Sequence, residues 1–534
     1  MADVDKHAPP DDLIAKSGLF AGMNPVMGIA SMVMILAFVV FTIQDVEYSG
    51  EVFSQAKDFI IGSLDWLYVV VVNVALIFVF WLLLSRYGDV KLGKDDDEPD
   101  FSTFSWICML FSAGLGSGLI YWGVAEPMYH IQDNPFMQRA GIEPGGLDAA
   151  ASAITVTTFH WGLHGWALYV LVGLNLAYYA YRKDLPLTLR SVLYPILKDK
   201  IYGPWGNLVD LVGVFGTIFG IATSLGLGVV PIAAGLEKLG WMDNTLTNQL
   251  ILVAIITAMG TASAVSGVGR GVRILSECNV WASLGLLLLF IILGPTAFIF
   301  GLTITAFGDY VWNFIPMGFW IDSDPERQWQ SWWTIFYWGW WIAWCPFVGM
   351  FIARISKGRT IRQFGLCVLL IPVSVVALWM GVFGSAATGV DLFYSAGVVD
   401  AVNADYATGV FQTVQGFGYQ ALVTPITILI TILLISWFVT SSDSGTLVMC
   451  TMLSMGDENP PIKFRFFWGI ISGFVAGVLM LAGGLSALQT ASIVAGLPIA
   501  TILLLMLYGI VKTLGEDFPA PEYKDKYDLE YLNR

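Results

Sequence analysis

The sequence predicts an all-α membrane protein with twelve transmembrane helices, and three observations lead to that class. The first is composition: 56% of the 534 residues are hydrophobic and 13% are charged, against about 45–50% and about 25% in soluble domains. The second is a series of apolar segments long enough to cross a bilayer. These segments cover residues 25–44, 63–85, 104–125, 148–181, 207–230, 246–267, 279–307, 330–355, 362–386, 420–450, 464–485 and 489–512.

The third observation is the distribution of Lys and Arg, which also predicts the orientation. With the N-terminus placed in the cytoplasm, all 26 basic residues except Lys57, Arg139, Lys238 and Arg327 fall in cytoplasmic tails and loops. Such an excess marks the cytoplasmic face of membrane proteins. We therefore predict a multi-pass protein of the cell (inner) membrane with both termini cytoplasmic. The predicted parts are an N-terminal tail (1–21), a single transmembrane domain (22–513) and a short acidic C-terminal tail (514–534).

The third apolar segment is predicted to be broken. Gly114, Gly116 and Gly118 alternate in it, and each costs about 1 kcal/mol relative to Ala inside a helix. In a membrane, unwound backbone survives only where it lines a cavity, and interrupted helices often form the binding sites of transporters. The eighth segment has similar interruptions at Gly339 and Pro346. The alternative is that the glycines only permit close helix packing.

The fourth and eighth segments carry the most informative side chains, two clusters of aromatic residues. On regular helices with 100° per residue, the members of each cluster share one side, with no buried carboxylate expected beside them. Two such faces meeting would form a cage for a quaternary ammonium or sulfonium group, because aromatic faces attract cations. The alternative is ordinary core or interface packing. The clusters are Trp161, Trp166 and Tyr169 in the fourth segment and Trp338, Trp340, Trp341 and Trp344 in the eighth.

The tenth segment ends in a run of hydroxyl side chains that follows Trp437. Thr440 and Ser441 begin this run, and Asp443 lies within it. Hydroxyl oxygens beside an unwound helix would suit sodium. The run equally fits small-residue packing or hydrogen bonds back to the helix carbonyls, and the residue types leave both readings open.

Several other functions are not supported by the sequence. A net charge of −15 argues against nucleic-acid binding, and no nucleophile–base–acid set indicates an enzyme. His160 and His164 are four residues apart, but no third metal ligand is evident, so packing or helix–helix hydrogen bonding is the expectation. The five Cys residues have no metal-binding spacing and are interpreted as small buried hydrophobic residues. No cofactor is expected.

Five stretches together resemble the betaine/choline/carnitine transporter (BCCT) family over essentially the whole chain. The resemblance implies a leucine-transporter-type core of two inverted five-helix repeats, helices 3–7 and 8–12, with two extra N-terminal helices, and a homotrimer in contact with membrane lipid. The matching stretches are 114–127 (GLGSGLIYWGVAEP), 160–169 (HWGLHGWALY), 217–228 (TIFGIATSLGLG), 338–362 (WGWWIAWCPFVGMFIARISKGRTIR) and 440–444 (TSSDS).

The resemblance also implies roles for individual residues. The substrate cage would be formed by Trp161, Trp166, Tyr169 and Trp341, with Trp344 on the access pathway, Trp338 and Trp340 close by, and Gly116, Ser117 and Gly118 facing the substrate carboxylate. The sodium site between helices 3 and 10 would use Ser112, Leu115, Trp437, Thr440 and Ser441. A second sodium site of the family would use Thr217, but Ile221 stands where a second Thr is expected, which leaves the sodium count open.

Gly118 bears on the substrate. Proton-coupled choline transporters of the family resemble this motif but have Asp at the position of Gly118, whereas sodium-coupled betaine transporters have Gly. The resemblance therefore implies sodium-coupled import of a methylated zwitterionic osmolyte, either glycine betaine or dimethylsulfoniopropionate, by alternating access. The alternative is a proton-coupled or exchange transporter of choline or carnitine.

Overall fold

The computed structural model describes residue 10 and residues 13–114, 116–266, 270–323 and 328–519. Helices account for nearly all of these residues. The first nine α-helices are α1 (Pro25–Gln44), α2 (Val46–Leu84), α3 (Thr103–Gly114), α4 (Ser117–His130), α5 (Pro135–Ala140), α6 (Leu147–Trp161), α7 (Leu163–Ala177), α8 (Tyr194–Leu197) and α9 (Pro204–Lys238). The others are α10 (Leu246–Ser266), α11 (Arg270–Leu293), α12 (Thr296–Gly318), α13 (Gln328–Gln330), α14 (Phe336–Arg354), α15 (Ile361–Tyr394), α16 (Val398–Ala404), α17 (Gly409–Gly416), α18 (Gln420–Leu453) and α19 (Ile462–Asp517).

Short irregular helices connect several of these elements. A π-helical stretch at Ser331–Ile335 leads directly into α14, so that this apolar helix runs from Ser331 to Arg354. The remaining short segments are a second π-helical stretch at Tyr178–Arg182 and 3₁₀ turns at Arg86–Asp89, Leu189–Leu193, Lys198–Tyr202 and Tyr406–Thr408.

By length and composition, ten described helices can cross a membrane, which confirms a multi-pass, all-helical chain. The count of twelve spans stays a prediction. The predicted third and fourth segments are each divided into two shorter helices, and α19 covers the predicted eleventh and twelfth segments in one run. Within α19 the backbone departs from helical geometry at Gly483 and at Gly484, whose φ of 55° lies in the left-handed region that glycine tolerates.

The prediction of one continuous seventh segment over 279–307 is wrong, because two helices share this stretch. Helix α11 ends at Leu293 and α12 begins at Thr296. Pro295 lacks a backbone N–H and restricts the residue before it, so a helix ends readily here. Helix α12 continues to Gly318.

Five long helices and the two broken segments surround the functional centre. α14 packs against α7, α9 and α19, and α9 packs against α18 and α19. α4 packs against α6 and α15. This arrangement brings the break between α3 and α4 and the break between α6 and α7 close to the aromatic face of α14.

Candidate functional site

A cavity of about 120 Å³ lies where these broken helices meet α14. One buried water needs roughly 10–15 Å³ of such space, so the cavity has room for a small organic molecule. Nine of the ten predicted substrate-binding residues line it, and Trp338 does not. The lining consists of Gly116, Ser117, Gly118, Leu119, Tyr121, Trp161, Gly165, Trp166, Tyr169, Ser224, Trp340, Trp341, Trp344, Val348, Val376, Phe438 and Ser441.

The aromatic rings form two groups within this cavity. Trp341 stacks on Trp340 with ring centroids 5.0 Å apart and an interplanar angle of 13°. Trp161 meets Trp341 edge to face at 5.0 Å and 68°. Trp166 and Tyr169 form a second edge-to-face pair at 5.3 Å and 89°. The rings thus present both faces and edges to the enclosed space, a geometry that aromatic pairs favour.

Trp338 lies on another side of α14. Its ring stacks on His164 at 5.5 Å and contacts Phe159 at 5.3 Å. It is fully buried. The structure therefore places Trp338 in the packing between α14 and the fourth segment, apart from the other predicted cage residues.

The fourth segment is broken at Gly162, so the prediction of one regular helix through Trp161, Trp166 and Tyr169 is wrong. The N–H of Leu163 donates to the hydroxyl of Tyr310 at 2.8 Å, an interaction that caps the second half of the segment. Because the regular helical ladder is interrupted, the carbonyl of His160 accepts the indole N–H of Trp341 at 2.8 Å. The break therefore positions a ring of the cage.

A buried carboxylate lies directly beside the cage, contrary to the prediction. Glu126 is fully buried, and its Oε2 accepts the indole N–H of Trp161 at 2.9 Å and the Tyr337 hydroxyl at 2.5 Å. Its Oε1 lies 2.6 Å from Nδ1 of His160. Glu126 does not line the cavity, since both oxygens face these partners. Its place in the motif at 114–127 was a signal, because intramembrane carboxylates are rare and usually functional.

Both histidines lie between helices and hydrogen-bond across them, as predicted, but they have different partners. His164 lies 3.3 Å from the amide oxygen of Asn73, as expected for helix–helix hydrogen bonding. His160 instead faces Glu126, and His130 joins this cluster from one turn further along α4. Sequence spacing within one helix could not reveal a cluster built from two helices.

The N-terminus of α4 opens into the cavity. Gly116 has an extended backbone at the helix N-cap and supplies no side chain to bond the first amides. These amides carry the positive end of the helix dipole. At Gly118, a Cβ atom would approach Trp161 to 2.9 Å, so a side chain there would displace the ring. At Gly165, a Cβ would lie 2.8 Å from Trp341, so a side chain there would displace that ring as well.

Three polar side-chain atoms at the cavity have no hydrogen-bond partner. They are the Ser224 hydroxyl and the indole nitrogens of Trp340 and Trp344, and all three are buried. An unsatisfied buried polar group costs about 1–3 kcal/mol. Ser224 was not among the predicted binding residues.

The structure brings only some of the predicted sodium ligands together. Thr440 and Ser441 both donate to the carbonyl of Trp437, at 2.9 and 3.0 Å, and Ser441 also lines the cavity. The indole of Trp437 bonds Ser283. Thr217 donates to the Gly213 carbonyl within α9 and does not line the cavity.

Two other predicted sodium ligands, Leu115 and Ser112, lie wholly or partly outside the described residues. Leu115 lies outside the described residues. Ser112 belongs to α3, but its side chain is also outside the described part of the chain. The structure therefore gives no geometry for these two.

An all-helical apolar chain with a cavity at the meeting point of broken helices has the architecture of a membrane transporter. Comparison of the sequence with known proteins supports this class. Residues 26–519 match the sequence model of the BCCT, betaine/carnitine/choline family transporters. The chain therefore belongs to the BCCT family, whose members here are transporters and not enzymes.

Three relatives illustrate this similarity. A probable glycine betaine transporter of Desulfitobacterium hafniense is 41% identical over 94% of this chain and 99% of its own length. A glycine betaine transporter of Bacillus subtilis is 40% identical over 89% of this chain and 91% of its own length. A high-affinity choline transport protein of Escherichia coli is 38% identical over 93% of this chain and 73% of its own length.

Proposed function

We propose that this protein is a secondary active transporter that imports a methylated zwitterionic osmolyte, glycine betaine or dimethylsulfoniopropionate, together with sodium by alternating access. The observation that carries the proposal is the cavity itself, which is lined by aromatic rings and by the first residues of α4, a helix start without a side-chain cap. The names of the relatives support the betaine-like class, since two are glycine betaine transporters and one transports choline.

The aromatic side fits an onium group. A quaternary ammonium or a sulfonium has no N–H to donate, so directional acceptors offer it little, whereas the ring faces of Trp161, Trp340 and Trp341 attract its charge. Trp166 and Tyr169 complete the enclosure. A desolvated contact of this kind contributes about 2 kcal/mol or more.

The start of α4 fits a carboxylate. The amides at the start of α4, beside Ser117 and Gly118, form a site of positive potential, and the unpartnered hydroxyl of Ser224 is a further donor. Among the described residues, the cavity lining contains no Asp, Glu, Lys or Arg. Because burying a net charge without a partner is costly, a ligand with zero net charge fits this lining better than choline, which carries a positive charge.

Sodium would bind beside the Trp437 carbonyl. The hydroxyls of Thr440 and Ser441 use their hydrogens to bond this carbonyl, so their oxygen lone pairs stay free to ligate a cation. Freed carbonyls of an unwound segment are typical sodium ligands in transporters, and the extended backbone of Gly116 interrupts the helix next to this stretch. Ser112 and Leu115 would contribute as the family resemblance implies. An ion bridging these helices would favour one conformation over the other.

Membership in the family also motivates the remaining parts of the proposal. The core would be two inverted five-helix repeats, the protein would be a homotrimer in contact with lipid, and both termini would lie in the cytoplasm. Thr217 would contribute only if a second sodium ion is transported.

Equilibrium binding tests the proposal. The purified protein in detergent is titrated with glycine betaine, dimethylsulfoniopropionate, choline and carnitine, first in sodium chloride and then in potassium chloride. We expect one of the two zwitterionic osmolytes to bind most tightly, and more tightly in sodium. Tightest binding of choline or carnitine, or affinities that are the same in both salts, would contradict the proposal.

A further inference from the structure

A cluster of potential metal ligands lies just beyond the cage, and the proposed function uses it only through Oε2 of Glu126, which bonds Trp161. Glu126 and His130 come from α4, and His160 comes from the end of α6. All three side chains are fully buried. One potential ligand atom from each lies within 4.8 Å of the other two.

His130 is the least explained member of this cluster. Among the described residues, neither Nδ1 nor Nε2 of its ring has a hydrogen-bond partner, although the residue is fully buried. Its Nε2 lies 3.4 Å from Oε1 of Glu126 without hydrogen-bond geometry. Burying polar nitrogens without partners is costly. A cation bound between Nε2 and Oε1 would satisfy one of the two nitrogens.

The distances suit a tetrahedral ion. Ligand bonds of about 2.0–2.1 Å at tetrahedral angles place ligand atoms roughly 3.3 Å apart. Glu126 Oε1 and His130 Nε2 are already 3.4 Å apart. Oε1 and Nδ1 of His160 are 2.6 Å apart and would separate by under an ångström as the ion replaces their shared hydrogen.

The surroundings hold the ligands in place. Nε2 of His160, on the far side of the ring, lies 3.1 Å from the Thr334 hydroxyl, and such outer contacts fix the tautomer and orientation of a ligating histidine. The rings of Trp329 and Trp333 cover His130 at centroid distances of 5.3 and 4.4 Å. Both tryptophans are themselves partly exposed, so one layer of aromatic side chains separates the cluster from the surface.

We propose that Glu126, His130 and His160 form a binding site for a divalent transition-metal ion, with zinc as the probe. Two imidazoles and one carboxylate form a common ligand set for zinc, with a fourth position left for water. Oε1 of Glu126 would ligate the ion while Oε2 keeps its hydrogen bonds with Trp161 and Tyr337. The two oxygens of one carboxylate then serve two neighbouring sites.

Direct zinc binding tests this site without any measurement of transport. The purified full-length protein is freed of metal with a chelator and titrated with zinc chloride by calorimetry. His130→Ala removes a ligand, and His7→Ala serves as the control because it removes a histidine from the N-terminal tail. We expect wild type and His7→Ala to bind one zinc ion per chain equally well, and His130→Ala to bind it at least about 100-fold more weakly, since loss of even an outer-shell partner costs about 10–100-fold.

X-ray absorption at the zinc edge gives a second readout that depends on no variant. We expect nitrogen and oxygen neighbours at about 2.0–2.1 Å, including imidazole. The proposal is overturned if wild type takes up no stoichiometric zinc, if His130→Ala binds zinc as tightly as wild type, or if sulfur is found in the first shell. Should His130→Ala fail to fold, the absorption spectrum of the wild-type protein decides the question.

Discussion

Replacement of Trp341 by Leu tests the aromatic cage most sharply. The substitution keeps an apolar side chain and removes the π face. Trp341 stacks on Trp340, meets Trp161 at its edge, and donates to the His160 carbonyl at 2.8 Å. Trp341 thus contacts rings of both the fourth and the eighth segments and also hydrogen-bonds the backbone at the break in the fourth segment.

The expected loss can be estimated from these contacts. A desolvated cation–π contact is worth about 2 kcal/mol or more, and 1.4 kcal/mol corresponds to tenfold in affinity, so the dissociation constant for glycine betaine should rise by about 30-fold or more. The His160 carbonyl loses its indole donor, which should lower the free energy of unfolding by about 1–3 kcal/mol.

Calorimetric titration of the purified variant with glycine betaine measures the affinity, and thermal denaturation checks the fold. Trp338→Leu is the matched control, because it makes the same chemical change on the same helix at a fully buried ring that packs on His164 and Phe159. We expect Trp338→Leu to lower stability while the affinity of the folded fraction stays near that of wild type. Unchanged affinity in Trp341→Leu, or equal losses in both variants, would refute the cage.

Three further predictions concern the neighbouring residues. Gly118→Asp should push the Trp161 ring aside, because a Cβ there would lie 2.9 Å from it; competition binding should show weakened glycine betaine and a relative gain for choline. Thr440→Ala combined with Ser441→Ala should raise the sodium concentration needed for half-maximal uptake, and an identical sodium curve would remove this site. Glu126→Gln should weaken glycine betaine binding by roughly fivefold, or about 1 kcal/mol, as charge-assisted hydrogen bonds become neutral ones; unchanged affinity would show that the carboxylate does not position the cage.

Composition and spacing were the signals for the predicted substrate-binding residues, whose role stays a prediction. The tryptophans recur at close helical spacing on α14, and the alternating glycines before α4 marked the break that the structure describes at Gly116. Nine of the ten predicted substrate-binding residues consequently line one cavity.

The errors share a physical cause, which is contact between distant segments. The break at Gly162 depends on Tyr310, which lies more than a hundred residues away. Trp338 has the same residue type as its neighbours on α14, and only the packing of His164 and Phe159 directs it away from the cavity. The hydrogen bonds of Glu126 likewise come from three other positions in the chain, so periodicity within one helix could not reveal them.

Radiolabelled uptake into proteoliposomes tests the central claim most directly. The purified protein is reconstituted, and accumulation of glycine betaine and of dimethylsulfoniopropionate is followed with and without an inward sodium gradient. Our account predicts that at least one of the two accumulates above its external concentration only when the sodium gradient is present. Uptake that ignores sodium, or that requires a substrate inside the vesicle for exchange, would contradict it and place this protein with the proton-coupled or exchange carriers of choline and carnitine.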